Sequence, residues 1–203
     1  MRIRDFVIAI LDRFALLKCS RKVTLLSQDV GLYRTTRVYL SHGANKNNIE
    51  LDFKSRIYGV LAAQYDGHIF IGKYSQLGPN SIIRAVNKVY IGDYTAIASN
   101  VVISDNNSHP VNPKDRLAMQ KTPSGSKERS WIYSDNAPII IGKNCWIGEI
   151  SRICKGVTIG DGSIVAANAV VTKDVPQNCI AAGNPARVVK SEIDKSHQYF
   201  KSI

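Results

Sequence analysis

The sequence has four cysteines among its 203 residues but no C-x-x-C pair. Cysteines at that spacing are typical of zinc sites and thiol–disulfide motifs, so neither is predicted. No apolar run reaches the ~20 residues of a membrane-spanning helix. The basic start of the chain is followed by an apolar segment, but Asp12 and Arg13 interrupt it and no clean small-residue cleavage site follows. These absences favour a cytoplasmic protein without a metal or redox centre.

The chain also lacks a nucleic-acid-binding motif, although its formal net charge is +11. Its basic residues are scattered, and no recognisable motif interleaves them with aromatic residues. A basic protein of this kind can instead bind a phosphorylated small molecule, an acidic glycan or an anionic membrane surface. The sequence therefore predicts an anionic partner other than nucleic acid.

The most informative pattern is a spacing of six residues between aliphatic side chains. It runs through Ile141, Ile147, Ile153, Ile159, Val165 and Val171. An amphipathic helix repeats near 3.6 residues and a half-buried strand repeats at two, so neither explains this period. Short repeats are typical of parallel β-helices, in which identical units stack into coils. The pattern predicts an all-β fold with one inward-facing aliphatic residue per unit.

The rest of the chain divides around this array. Residues 1–22 are predicted to contain an amphipathic helix, residues 23–190 the β-helix with irregular first coils, and residues 191–203 a helix or frayed tail. The six-residue pattern disappears over about residues 104–137, which predicts a long irregular loop. The N-terminal helix has two interpretations. Either it covers the first coil, or its cations face anionic lipid: Arg2, Arg4, Arg13, Lys18, Arg21 and Lys22.

Residues 139–190 resemble the hexapeptide-repeat acyltransferases, which fold as left-handed parallel β-helices. The motifs are I-I-I-G-K-N-C-W-I-G at 139–148, K-G-V-T-I-G at 155–160, V-V-T-K-D-V-P at 170–176 and A-G-N-P-A-R at 182–187. The similarity is greatest to the branch with galactoside, maltose and polysaccharide O-acetyltransferases. It implies a homotrimer with active sites between subunits, acetyl-CoA as co-substrate and no required metal. The expected reaction is acetyl transfer to a sugar hydroxyl, in surface polysaccharide biosynthesis.

The resemblance places the general base at His109, within an Asp-x-x-x-His-Pro segment. Histidine suits proton removal because its imidazole titrates near neutral pH. The alternative is a structural histidine in a turn that donates a hydrogen bond to a backbone carbonyl. Asp105 is a candidate to orient the ring, although a backbone carbonyl could do the same.

The resemblance also implies a set of acetyl-CoA contacts: Trp146, Glu149, Ala167, Thr172, Lys173, Arg187 and Lys190. The backbone N–H of Glu149 would stabilise the thioester oxygen, although this family branch has a small residue there. Lys173, Arg187 and Lys190 would pair with phosphates. Arg152 and Lys155 replace apolar and proline residues of the branch, and the sequence offers no explanation for them.

The acceptor does not follow from the resemblance, because residues 78–86 do not match the sugar-binding positions of galactoside-type enzymes. An antibiotic O-acetyltransferase or a sugar N-acetyltransferase would use the same scaffold. A zinc enzyme of the carbonic anhydrase type would need three histidine ligands, and the chain has four histidines in total. A non-enzymatic trimeric scaffold is the remaining alternative.

Overall fold

The computed structural model describes residues 3–199, in which twenty short strands form three sheets around one axis. The first sheet contains β1 (Thr24–Leu25), β4 (Ile49–Leu51), β7 (His68–Ile71), β10 (Lys88–Ile91), β13 (Ile139–Ile141) and β16 (Thr158–Ile159). The second contains β2 (Gly31–Leu32), β5 (Arg56–Ile57), β8 (Gln76–Leu77), β11 (Ala96–Ile97), β14 (Trp146–Ile147), β17 (Ile164–Val165), β19 (Ile180–Gly183) and β20 (Ala186–Lys190). The third contains β3 (Arg37–Ser41), β6 (Val60–Gln64), β9 (Ile82–Ala85), β12 (Val102–Ser104), β15 (Arg152–Ile153) and β18 (Val170–Val171).

From β1 to β18, consecutive strands enter the three sheets in turn, so every three strands complete one coil of a parallel β-helix. The six-residue spacing is the length of one side of that coil. Ile141, Ile147 and Ile153 lie in the first, second and third sheets, and Ile159 returns to the first sheet beside Ile141. All four side chains are at most 1% exposed. Since burial of one such side chain contributes about 1.5–3 kcal/mol, these stacked columns are the main source of stability.

The first coils are built from the less regular part of the sequence, as predicted. The chain already winds through all three sheets between β1 and β6, and Leu51, Ile57 and Leu61 are fully buried. Helix α1 (Ile3–Ser20) precedes them. Its last turn brings Cys19 into the hydrophobic core, and Val23 follows it there. Arg2 and the side chain of Arg4, which belong to the predicted lipid-facing set, lie outside the described residues and side chains.

The insertion between β12 and β13 is more regular than predicted. It contains a second helix, α2 (Pro113–Gln120), and two short 3-10 helices, Lys127–Arg129 and Trp131–Tyr133. Asn112 caps α2 by accepting a hydrogen bond from the Lys114 N–H at 2.9 Å, and Pro113 occupies the first turn. A proline at this position favours helix initiation because the helix does not require its missing N–H. The prediction of an irregular loop was therefore wrong in this segment.

The C-terminal end of the β-helix is a hairpin. Strand β20 pairs antiparallel with β19, unlike the other strand pairs that the structure describes in the sheets. A short 3-10 helix (Ile193–Lys195) follows, within the segment for which the sequence predicted a helix or a frayed tail. Within residues 3–199, no helix has both the length and the apolar character required to cross a bilayer.

Candidate active site

His109 lies just beyond the point where the insertion leaves the third sheet. Two hydrogen bonds hold the first residues of the insertion, which we call the loop root, in place. The Ser108 N–H donates to Asn106 Oδ1 at 3.0 Å, and the Asn107 N–H donates to the Asp135 carbonyl at 3.1 Å. The His109 side chain is exposed and has no hydrogen-bond partner within residues 3–199. The imidazole is therefore available to a substrate or a second copy of the chain. The alternative, a turn histidine bonded to a backbone carbonyl, is not supported.

Asp105, the candidate to orient His109, forms its hydrogen bonds with the neighbouring coil and with Asn106. Its fully buried carboxylate accepts hydrogen bonds from the backbone N–H groups of Val86, at 3.0 and 3.1 Å, and Asn87, at 2.7 Å. The Asn106 amide donates a further bond at 2.9 Å. Burial raises the pKa of Asp105, and these hydrogen bonds oppose the increase. Because both carboxylate oxygens already bind these groups, Asp105 fastens the loop to the neighbouring coil, and an orienting role toward His109 stays a prediction.

The far side of the insertion folds back toward earlier coils. The Trp131 N–H donates to Gln64 Oε1 at 2.9 Å, and the hydroxyls of Tyr65 and Ser130 lie 3.1 Å apart. Met119 of α2 is only 4% exposed, so the insertion has a small apolar centre of its own. The loop is thus fixed at its root and along its return, which gives His109 a rigid base.

Three of the predicted acetyl-CoA contacts lie together on the second sheet and the corner that follows it. Trp146 points outward and is 56% exposed. Glu149 and Ala167 occupy equivalent corner positions in successive coils, because the Asn168 N–H donates to the Glu149 carbonyl at 2.9 Å. Within residues 3–199, the Glu149 N–H donates to no acceptor, and its carboxylate accepts from the Asn100 amide at 3.3 Å. The N–H that was predicted to stabilise an oxyanion is therefore available.

The same corner has a strained residue that was not identified from the sequence. Ile150 has a φ of 60°, whereas Asn80, Asn100 and Asn168 fill this left-handed position in other coils. A left-handed conformation costs an L-residue about 1–2 kcal/mol, and β-branched side chains tolerate it poorly. Backbone strain of this kind is concentrated at functional sites. Comparison of equivalent positions in the repeat would have revealed Ile150 as the exception beside Glu149.

The remaining predicted contacts lie near the C-terminal hairpin. Thr172 and Lys173 follow the third sheet, and Arg187 and Lys190 belong to β20; all four are exposed. Lys173 and Arg187 line one cavity of about 150 Å³. The Arg187 guanidinium also donates to the preceding carbonyl at 2.8 Å. These cations suit phosphate groups because Arg binds them in bidentate fashion and Lys binds them as a point charge.

Within one chain, these groups lie on two different corners of the β-helix. Glu149 precedes the third sheet, whereas the loop of His109 and the turn of Lys173 both follow it. The third sheet separates the corners by about five residues, or roughly 16 Å of extended chain. The predicted site residues therefore form two groups, one on each corner. In a single copy of the chain, these two groups stay apart. Among the described residues, no three His, Cys, Asp or Glu side chains are close enough to hold a metal ion.

The fold and the repeat are similar to those of a known class of protein. Residues 138–173 match the family model described as "Hexapeptide repeat of succinyl-transferase". The predicted resemblance to the hexapeptide-repeat family is confirmed, and so is the predicted fold class, a left-handed parallel β-helix.

Particular relatives refine this assignment. The chain is 40% identical over 138 residues to galactoside O-acetyltransferase of Escherichia coli (strain K12), which corresponds to 68% of this chain and 61% of that protein. It thus spans less than two thirds of that relative. The crystal structure of the polySia-specific acetyltransferase NeuO aligns with a TM-score of 0.60 and 27% identity over 77% of this chain and 66% of its own. A galactoside acetyltransferase in complex with coenzyme A aligns with a TM-score of 0.51 and 32% identity over 81% and 64%.

Proposed function

We propose that this protein transfers an acetyl group from acetyl-CoA to a hydroxyl group of a sugar, in a surface polysaccharide. The observation that carries the proposal is the exposed imidazole of His109, which has no hydrogen-bond partner among the described residues and stands on a fixed loop of a hexapeptide-repeat β-helix. Similarity to a galactoside O-acetyltransferase supports the sugar acceptor, and similarity to a structure that contains coenzyme A supports the donor. An acceptor screen that follows release of the CoA thiol tests this proposal against antibiotic and amine acceptors. The absence of transfer to any acceptor would favour a non-enzymatic scaffold.

In the proposed mechanism, acetyl-CoA supplies the acetyl thioester. His109 removes the proton from the acceptor hydroxyl, and the oxygen attacks the acetyl carbon directly. The new C–O bond forms as the C–S bond breaks, and protonated His109 returns the proton to the sulfur. The Glu149 N–H stabilises the charge that develops on the thioester oxygen. No covalent acetyl-enzyme is involved.

A second copy of the chain would complete this site. Since one chain places the Glu149 corner and the His109 loop on opposite sides of the third sheet, a neighbouring copy can bring its own loop to the Glu149 corner. A homotrimer has three such interfaces. Each would combine the Glu149 corner of one subunit with the His109 loop of its neighbour, so the trimer would have three complete sites. Its mass in sedimentation equilibrium tests this arrangement.

We expect the double variant Lys173→Ala/Arg187→Ala to raise the KM for acetyl-CoA by about a hundredfold with little change in kcat. Charge-assisted hydrogen bonds to phosphate contribute roughly 1.5–3 kcal/mol each, and the exposure of both side chains favours the lower value. The measurement is steady-state kinetics at saturating acceptor. Lys195→Ala is the matched control, because Lys195 is an exposed cation near the same hairpin that pairs with Glu192 at 2.5 Å. An unchanged KM in the double variant would place the phosphates elsewhere.

We also propose a peripheral contact with the inner face of the membrane through α1. Ile10, Leu11, Phe14 and Leu17 are 40–66% exposed on this helix. Leu11 and Phe14 line a cavity of about 420 Å³ between α1 and the first coil. The cavity is also lined by four cations: Lys18, Lys22, Arg34 and Arg37. Exposed apolar side chains beside a basic surface are typical of helices that bind anionic lipid.

The double variant Phe14→Glu/Leu17→Glu should therefore lose most of its binding to vesicles that contain anionic lipid. Carboxylates at these positions oppose both apolar insertion and the attraction to anionic headgroups. Co-sedimentation with vesicles measures the bound fraction, and deletion of residues 1–18 should have the same effect. Leu26→Glu is the control, since Leu26 is 50% exposed but lies outside α1. Equal sedimentation of the wild type and the α1 variants would exclude this contact.

A further inference from the structure

Arg84 and Arg152 lie on the outer face of the third sheet. Arg84 belongs to β9 and pairs with Ser104 of β12, while Arg152 belongs to β15 and pairs with Val102 of the same β12. Two strand spacings, or about 10 Å, separate β9 from β15. Arg152 is also offset from Arg84 by two positions along the strands, and two long arginine side chains can span the resulting gap of roughly 12 Å to reach one shared group.

The surroundings of Arg84 are partly closed. Its ladder neighbours Ala62 and Ser104 also point away from the core, yet they are only 6% and 1% exposed. Arg84 itself is half-buried, whereas Arg152 is exposed. Burial lowers the pKa of Arg84, and the positive charge of Arg152 lowers it further. Both effects act against keeping a cation at this position.

The fold does not compensate for this arrangement. Within residues 3–199, neither guanidinium forms an ion pair or a side-chain hydrogen bond. A partly buried charge without a partner lowers the stability of a protein, and a like charge nearby adds to the cost. A pair of like charges without partners is expected at a ligand-binding site, where the ligand supplies the opposite charge.

We propose that Arg84 and Arg152 together bind an anionic group of the acceptor, a carboxylate or phosphate carried by an acidic sugar. The planar guanidinium forks match either oxyanion in bidentate fashion, and a shared anion removes the repulsion between the two cations. This inference rests on the proposed acetyl transfer and names the class of its acceptor. It also explains Arg152, which the sequence left unexplained.

The position favours the acceptor over the coenzyme. The Arg84 carbonyl accepts the Asp105 N–H at 3.2 Å, so Arg84 lies at the root of the loop that carries His109. Lys173, in contrast, follows the sixth strand of the third sheet, three coils beyond the strand of Arg84 and one coil beyond the strand of Arg152. At about 4.8 Å per coil, Arg84 is roughly 14 Å from that strand. The Arg84 end of the anion site is therefore next to the loop of His109, which favours the acceptor.

The test measures binding of two matched acceptor pairs to the full chain by calorimetry, without acetyl-CoA. One pair is trigalacturonate and its carboxyl-reduced form; the other is galactose 6-phosphate and galactose. The wild type should bind the charged member of at least one pair more tightly, and the pair concerned identifies carboxylate or phosphate. Arg84→Gln/Arg152→Gln should weaken that binding by about tenfold or more. Arg84→Lys/Arg152→Lys should retain part of it, and the control Arg56→Gln, on an exposed outward position of β5, should retain all of it.

Thermal unfolding separates this role from a structural one. The Gln double variant should melt at the same temperature as the wild type or higher, because it removes an uncompensated charge pair. A lower melting temperature, or loss of the oligomer in sedimentation, would overturn the proposal by showing a structural or subunit contact. Equal affinity for the charged and neutral members of both pairs would also overturn it.

Two further outcomes locate a failure. A weaker affinity for coenzyme A in the Gln double variant would assign the arginines to the donor and overturn the acceptor assignment. If the wild type transfers acetyl to no acceptor, the proposed function fails, while the binding measurements still decide whether Arg84 and Arg152 form an anion site.

Discussion

His109→Ala should reduce acetyl transfer by about a thousandfold, because a positioned general base contributes typically 10²–10⁴-fold to such a reaction. The loss should appear in kcat, since the imidazole acts on the reacting hydroxyl. The dissociation constant of acetyl-CoA should be unchanged, because the predicted donor contacts lie on β14, the following corners and the hairpin. Kinetics with the best acceptor of the screen and calorimetry with acetyl-CoA make the two measurements.

His68→Ala is the matched control for this variant. His68 is half-buried on β7, and its Nε2 atom lies 3.7 Å from the Glu50 carboxylate. It should keep nearly the whole activity. If His109→Ala retained more than about a tenth of wild-type kcat, its imidazole would not be the base, and the mechanism would need another proton acceptor.

Asp105→Ala should lower the free energy of unfolding by about 4 kcal/mol. The substitution leaves the buried N–H of Val86 and the partly buried N–H of Asn87 without their acceptor, and each such loss costs roughly 1–3 kcal/mol. Asp105→Asn keeps one acceptor oxygen and avoids the cost of burying a charge, so its effect should be about 1 kcal/mol. Urea denaturation of the three proteins measures these differences.

The same two variants distinguish a structural Asp105 from one that orients the base. Asp105→Asn should keep most of the acetyl transfer activity at a temperature where it is folded, since the carboxylate is bonded to the neighbouring coil. A large fall in kcat with an intact fold would support the prediction that Asp105 orients His109.

Much of the fold could be predicted because the repeat is local. One inward aliphatic residue, one corner and one strand recur every six residues, so the positions of Ile141, Ile147 and Ile153 imply each other without knowledge of the rest. The position of His109 at the edge of the repeat also followed from the sequence, because the pattern stops just before it. The helix α2 was missed because its apolar contacts are made within the insertion, where no repeat guides the interpretation.

The sequence by itself determined the coil, its six-residue side and the residue types available for acetyl transfer, because these depend on neighbours along the chain. Only the tertiary structure decided which groups lie beside the charged side chains of the candidate site. Asp105 meets N–H groups that lie 18 and 19 residues away in the chain, and Arg152 shares the outer face of the third sheet with Arg84, two strands away, although 68 positions separate them. Stacking of coils creates both arrangements. The role of a charged side chain depends on its neighbours in adjacent coils. Those neighbours are distant in the sequence, so the sequence pattern does not identify them.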